Sequence, residues 1–271
     1  MTNPTQLTTH YPLSIQRLIR TLSTLSSLTP DQLKLVIEES AISEYDLFPW
    51  ADFNHSPHDS YGRNMVYHGG HFEIMVMSWL PGDFSAIHDH GQTQWGAVQC
   101  FGEAEHYVYT LEQTATQAIL KNQTPAHYQC GDIRTVNHDT IHQMGNRGDR
   151  PLLSLHVYGC AQTENSPAEP AITGDARIFD LLENSIQFTD GGVFFYLPEN
   201  KIKRRQYGIS GDIATRTLQY ELMRDRLKTI LSADSLSKPH IEQKLAQIER
   251  RIQHETAIAQ SLQSQLYSDI S

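Results

Sequence analysis

Residues 81–102, PGDFSAIHDHGQTQWGAVQCFG, hold the spacing from which the fold is read. Gly82 stands six residues before His88, and Gly102 twelve residues after His90. A second stretch, residues 131–146, GDIRTVNHDTIHQMGN, sets Gly131, Asn137, Asp139, His142 and Asn146 in a comparable frame. Side chains two apart on a strand project from the same face, so His88 and His90 are expected to point one way. A third imidazole from a later strand, His142, would then complete a three-nitrogen site for a divalent transition metal. The chain has 14 histidines, and any one alone signifies little. The joint spacing with the flanking glycines carries the reading; His106, His55 and the remaining histidines fit no ligand pattern and are expected to be structural or exposed.

Outward from these stretches, residues of about 60 to 160 form short β-rich runs separated by turn signals. Pro81-Gly82-Asp83, Gly102-Glu103 and Asn146-Arg147-Gly148-Asp149 are the clearest turns. Strands are expected at 63–68, 72–80, 85–89, 95–101, 104–110, 127–129, 133–136, 141–144 and 152–158. Many short strands suit a barrel or a sandwich; inward-facing histidines from separate strands favour the barrel. The pattern at Gly82, His88, His90, Gly102, Gly131, His142 and Asn146 resembles the two-part motif of the cupin superfamily. It departs at Trp95, where many cupins place a metal-binding glutamate. The expected fold is therefore mainly β: a cupin double-stranded β-barrel (jelly-roll) with N-terminal helices and a C-terminal helical or coiled-coil extension.

The flanks differ in pattern. Residues 1–50 read as a helical segment, with Leu18, Ile19, Leu22 and Leu25 on one face and a Thr29-Pro30-Asp31 cap before Leu33, Val36 and Ile37. The barrel is expected over 51–170, with Pro167 and Pro170 marking a linker, and an extension packing on it over 171–214. Within that extension Ile178, Leu181 and Leu182 look helical, and the apolar run Val193 to Leu197 is assigned to packing. Residues 215–271 read as a helical hairpin or coiled coil. Ile241, Leu245, Ile248, Ile252, Ala259, Leu262 and Leu266 follow a heptad seam interrupted only by Glu255. Homodimerisation through this seam and an intramolecular hairpin with 215–231 fit it equally well.

Composition limits the function classes. A hydrophobic content of 39% with 9% aromatic residues suffices for a packed core. No stretch has the length of a membrane span, and the N-terminus lacks the build of a secretion signal, so a cytoplasmic location is expected. The net charge of −10 speaks against nucleic-acid binding. Residues 199–251 are locally basic, with 12 Lys and Arg against 7 Asp and Glu, which a charged helical surface explains. Cys100, Cys130 and Cys160 form no CxxC pair and are expected to be small apolar fillers.

A narrower resemblance emerges from the order of several pieces. Tyr61-Gly62-Arg63-Asn64 precedes Ile87-His88-Asp89-His90, followed by His142 and Asn146 and then Ser154-Leu155-His156-Val157-Tyr158. This sequence of motifs resembles the thiol dioxygenases, most closely the cysteine dioxygenase type I family, over about residues 45–160. The resemblance implies Fe(II) bound by His88, His90 and His142, with a small thiol and dioxygen as reactants. It implies a catalytic Ser154, His156 and Tyr158, alternating on one face of a strand, and a substrate carboxylate held by Arg63 beside Tyr61. Three neutral imidazoles would leave three open positions for thiolate, amine and dioxygen, and both oxygen atoms would pass to sulfur, giving cysteine sulfinate. Arg63 favours L-cysteine, since relatives acting on 3-mercaptopropionate commonly have glutamine there. Animal members carry a cysteine five residues after the second ligand, joined to the tyrosine by a thioether. Trp95 stands at that spacing here, and its indole, if turned inward, would reshape the substrate pocket. The alternatives are a dioxygenase of 3-mercaptopropionate or another small thiol, a non-catalytic metal-binding cupin sensor, and a metal-dependent cupin isomerase.

Overall fold

A computed structural model describes residues 11–113, 118–123, 126–161, 175–189, 192–195, 199–233 and 238–268. The linker prolines Pro167 and Pro170 lie outside these residues. Two helices, α1 (Leu13–Ser23) and α2 (Pro30–Ser40), open the chain. The cap of α2 forms as its residues require: Gln32 N–H donates to Thr29 Oγ1 at 3.2 Å and Thr29 N–H donates to Gln32 Oε1 at 2.8 Å, a capping box with Pro30 in the first turn. A short helix α3 (Glu44–Leu47) and a 3-10 turn (Phe48–Trp50) lead into the barrel.

The first sheet has the order β1-β2-β9-β3-β7, all antiparallel. Its strands are β1 (Gly62–His68), β2 (Phe72–Trp79), β3 (Trp95–Cys100), β7 (Ile133–Val136) and β9 (Leu152–Gly159). Every residue of β2, β3 and β9 is buried because the sheet is covered on both faces. Phe72, Ile74, Val76, Trp95, Ala97, Leu153, Leu155 and Val157 face α1 and α2, where they join Ile15, Leu18, Ile19, Leu22, Leu33 and Ile37. The alternate residues, Met75, Met77, Trp79, Val98, Cys100, Leu152 and Tyr158, face the barrel interior. The period of two thus separates a helix-facing core from a site-facing one.

The opposing sheet is built on β4 (Ala104–Gln113), paired with β5 (Ala118–Asn122), β6 (Ala126–Tyr128) and β8 (Ile141–Gly145). The two sheets face each other as a jelly roll, the cupin architecture. Residues 82–90 cross between them. This segment does not form the continuous strand expected at 85–89: it makes single bridges, Phe84 to Gly145 and His88 to His142, while His88 also bridges Ile178. It is held from two sides at once, so no one neighbour supplies an unbroken ladder.

The extension after the barrel is largely β. Strands β10 (Ala176–Asp180), β11 (Ser185–Thr189) and β12 (Arg204–Tyr207) form a third antiparallel sheet, and β13 (Ile209–Gly211) joins β5 in parallel. Ile178, expected in a helix, lies in β10, and Leu181 and Leu182 fill the turn after it. Their close spacing imitates a helix face, whereas a strand followed by a tight turn buries the same residues. Helices α4 (Ile213–Ala233) and α5 (Lys238–Ser268) then form a hairpin over the outer face of the second sheet. Tyr109, Leu120, Phe179, Leu181, Tyr220, Leu227, Ile230, Ile241 and Ile248 make one cluster there. The heptad seam is therefore used within the chain as far as Ile252, while Leu262 is exposed. No helix among the described residues is long and apolar enough to cross a membrane. Of the three cysteines Cys100 is buried and Cys160 half-buried, but Cys130 is exposed and so is not a filler.

Candidate metal centre

His88 and His142, 54 residues apart, are joined by a two-way bridge: each backbone N–H donates to the other's carbonyl at 2.9 Å. Gly82 and Asn146 brace this junction. Gly82 has φ +87°, a conformation open to glycine, and donates its N–H to Asn146 O at 2.8 Å. The fully buried Asn146 amide in turn donates to Trp79 O at 3.1 Å and Arg150 O at 2.8 Å. The glycine and asparagine of the motif therefore fix the crossing segment rather than touch a ligand.

The side chains of His88, His90 and His142 converge, each buried, with one ring nitrogen per residue within 4.8 Å of the others. His88 Nε2 and His142 Nε2 lie 3.1 Å apart, the spacing of two nitrogens each about 2.1 Å from one centre at roughly a right angle. Neither ring nitrogen of His90 makes a well-formed hydrogen bond, although both are buried. Buried polar atoms without partners are rare and call for an occupant. Burial lowers the pKa of His88 to about 4. Burial first, and then the neighbouring imidazoles, hold His90 and His142 well below their ordinary value. Each neutral imidazole has one nitrogen lone pair to offer, and three such rings are the donor set of a divalent transition metal.

A second row of polar groups lies along β9. Trp79 Nε1–H donates to Ser154 Oγ at 2.8 Å; Ser154 Oγ is 2.8 Å from His156 Nε2, and His156 Nδ1 is 2.8 Å from the Tyr158 hydroxyl. All of these residues are buried. The indole can only donate, so the direction that leaves no buried hydroxyl proton stranded runs from Trp79 through Ser154 and His156 to Tyr158. His156, its pKa held by burial at about 3, remains neutral and passes on that order. The proton of Tyr158 is then free to donate into the cavity, where its ring stands 5.2 Å from that of His90. Burial raises the Tyr158 pKa far above the ordinary phenol value, so the hydroxyl stays protonated. Trp79, which heads this chain, carries no motif signal; only strand register brings it beside Ser154, since Met77 pairs with Ser154 and Trp79 lies two residues on.

The cavity bounded by these groups is small, about 30 Å³. Arg63 and Tyr61 line it together with Met75, Met77, Met144 and Val193. Arg63 Nε is buried without a hydrogen-bond partner. Tyr61 stacks on Trp79 with centroids 4.6 Å apart, and burial pushes its hydroxyl up to about 12. Val193 and Ala176 bring the extension into the same wall, so Val193 does more than pack, while Tyr196 and Leu197 of that run lie outside the described residues.

Trp95 is not at the cavity. It points to the opposite face of β3, into the cluster under α1 and α2, against Gly159, where any Cβ would lie 2.0 Å from the indole. The residue that faces Tyr158 is Gly96, whose added Cβ would lie 2.9 Å from Tyr158 Cδ1. The resemblance set Trp95 at the pocket if its indole turned inward; in β3 the even-numbered residues face the cavity and the odd-numbered ones the helices, so the indole turns away. Two further groups were missed by spacing. His106, read as bland, has Nε2 2.8 Å from His142 Nδ1. Asp89, between the two expected ligands, accepts from Arg177 N at 2.8 Å and pairs with its guanidinium, tying the motif to β10.

The family model described as cysteine dioxygenase type I matches residues 1–163. The cysteine dioxygenase type 1 of Danio rerio is 24% identical over 153 residues, covering 54% of this chain and 75% of that protein. That of Homo sapiens is 26% identical over 155 residues, covering 54% and 74%. Among solved structures, an uncharacterized conserved protein with a double-stranded beta-helix domain from Klebsiella pneumoniae is 20% identical, with a TM-score of 0.32, covering 45% of this chain and 90% of that one.

Proposed function

The chain belongs to the cysteine dioxygenase type I family, and we propose accordingly that it oxidises L-cysteine with dioxygen to cysteine sulfinate, with His88, His90 and His142 holding Fe(II). The observation that carries the substrate choice is Arg63: a guanidinium lining the same cavity as three buried neutral imidazoles, its Nε without a partner. A guanidinium in such a place suits a small carboxylate, which takes two parallel charge-assisted hydrogen bonds from it.

In this reading Fe(II), when bound, acidifies the thiol and supplies the one-electron chemistry that dioxygen requires. The protein residues do the rest. Arg63 binds the carboxylate and so sets the position of sulfur. Tyr158, its hydroxyl oriented by the chain from Trp79, Ser154 and His156, donates a hydrogen bond where negative charge develops on oxygen. Tyr61, Trp79 and the methionines exclude water. The balance is simple: one thiol and one dioxygen give one sulfinic acid, sulfur losing the four electrons that the two oxygen atoms gain.

The experiment is a direct assay. Apo-protein is loaded anaerobically with Fe(II), air is admitted, and oxygen uptake and sulfinate are followed with L-cysteine, 3-mercaptopropionate and cysteamine. The expected result is one dioxygen consumed per cysteine sulfinate formed, with cysteamine, which lacks a carboxylate, turned over slowly. Uptake with 3-mercaptopropionate alone would replace the substrate, and no uptake with any thiol would favour a non-catalytic sensor.

A further inference from the structure

Behind His142 lies a row of hydrogen bonds whose direction is fixed from one end. Arg134 Nη1 is 3.2 Å from His106 Nδ1, and a guanidinium has donors only. His106 Nδ1 therefore accepts, and the neutral ring carries its hydrogen on Nε2. That nitrogen, 2.8 Å from His142 Nδ1, donates to it. His142 then carries its own hydrogen on Nε2, directed at His88 Nε2, 3.1 Å away. His88 Nδ1 donates to Ala86 O at 2.9 Å, which leaves its Nε2 free to accept. Every group in the row is satisfied, and every imidazole is neutral.

This order is the wrong one for ligation. A metal takes the Nε2 lone pair of His142, which moves the hydrogen to Nδ1. His106 Nε2 must then accept, its hydrogen must shift to Nδ1, and that N–H meets the Arg134 donor face on. No proton is gained or lost overall, but two donors are set against each other. Arg134 has other anchors to fall back on: its guanidinium lies 4.4 Å from the centre of the Tyr128 ring and donates to the His127 carbonyl.

We propose that His106 and Arg134 form a tautomer latch on the metal centre, in which His106 orients His142 and Arg134 biases the pair against the ligating tautomer. The inference rests on the metal-binding reading of the triad. It assigns opposite effects to two residues in one row. Removing the acceptor for His142 weakens the metal; removing the donor behind it strengthens the metal.

The test measures Co(II) affinity of the full chain by chelator competition, with the visible d–d spectrum as a second readout. Arg134→Met is also measured in a His106→Ala background, where a latch acting through His106 leaves no gain and a persisting gain from loss of the bare charge overturns it. His106→Ala is expected to weaken Co(II) binding about 10- to 100-fold, the usual effect of losing a group behind a ligand. Arg134→Met, which keeps an apolar stem over Tyr128, is expected to tighten binding about tenfold. His106→Glu, which accepts from His142 and pairs with Arg134 at once, is expected to bind at least as tightly as the wild type. A folding defect lowers affinity and imitates neither the gain in Arg134→Met nor the full affinity of His106→Glu. Equal or weaker binding by Arg134→Met overturns the latch, and unchanged binding by His106→Ala overturns the orienting role. A wild-type chain that takes up no Co(II) would instead refute the metal-binding reading itself.

Discussion

Arg63, Gly96 and Trp79 show what one residue can decide in this cavity. A charge-assisted hydrogen bond contributes about 1.5–3 kcal/mol. Arg63→Ala is therefore expected to raise KM for L-cysteine about 10- to 100-fold with Fe(II) content unchanged; saturation kinetics beside metal analysis check this, and an unchanged KM removes the clamp. Gly96 acts through what it lacks. Its Cβ would stand 2.9 Å from Tyr158 Cδ1, 2.8 Å from Val136 Cγ2 and 3.2 Å from the Val157 carbonyl, so Gly96→Ala must push the phenol ring aside. The expected outcome is a kcat reduced at least tenfold, with iron content retained, in steady-state assays. Wild-type turnover would mean that the ring position does not govern the chemistry. The Ser154-His156-Tyr158 alternation was legible in the sequence because a strand has a period of two, whereas Arg63 stood out only through the resemblance of Tyr61-Gly62-Arg63-Asn64 to the family. Gly96 and Trp79 were not legible, because a loop between ligand and strand hides the phase and a partner strand hides the register.

Among elements, α4 and α5 turn a seam of heptad type into a hairpin locked in one register. The one break in the seam, Glu255, is buried and accepts from Arg216 Nε at 2.9 Å and Nη2 at 2.7 Å. A bidentate pair at a fixed height specifies register, as a single polar residue does in a coiled coil. Helix α4 also reaches the site. Arg226, buried, donates to Asp83 Oδ1 at 2.6 Å and to the carbonyls of Pro57 and Asp59, in the loop leading to Tyr61 and Arg63. Breaking a buried ion pair costs about 3–5 kcal/mol; Arg226→Met is expected to lose that much in urea unfolding, and a loss below 1 kcal/mol would show the pair to be idle. The same Asp83 holds His55 through Oδ2 at 3.0 Å. Burial alone would lower the His55 pKa, but the Asp83 hydrogen bond and charge outweigh it and raise it above 6.5, even against Arg226. A raised folded-state pKa stabilises fully below about 6.5 and ceases to do so as pH rises through the folded value. The gap in Tm between wild type and His55→Gln is thus expected to be widest below pH 6.5 and to narrow above neutrality; a gap independent of pH would refute the ion pair.

On the scale of the molecule, three layers of burial share two sheets. Helices α1 and α2 cover the outer face of the first sheet, the cavity lies between the sheets, and the hairpin covers the second with β10 and β11. The residues after the family match are part of this arrangement: Ala176 and Val193 line the cavity and Arg177 holds Asp89. A chain ending at Gly211 would expose Tyr109, Leu120, Phe179 and Leu181. It is expected to express in aggregated form or to bind a hydrophobic dye strongly; a soluble, monomeric, dye-silent truncation would show the hairpin to be dispensable for folding.

The β architecture, the three converging imidazoles and the polar row on β9 could be read from the chain alone, because they depend on local periodicity and on the chemistry of the side chains. The tertiary structure alone decided that residues 85–89 bridge two partners, that Ile178 sits in a strand, that Trp95 faces the helices, and that His106 stands behind His142. Each of these depends on which distant segment lies alongside, and contacts between segments far apart in the chain leave no periodic mark in either one.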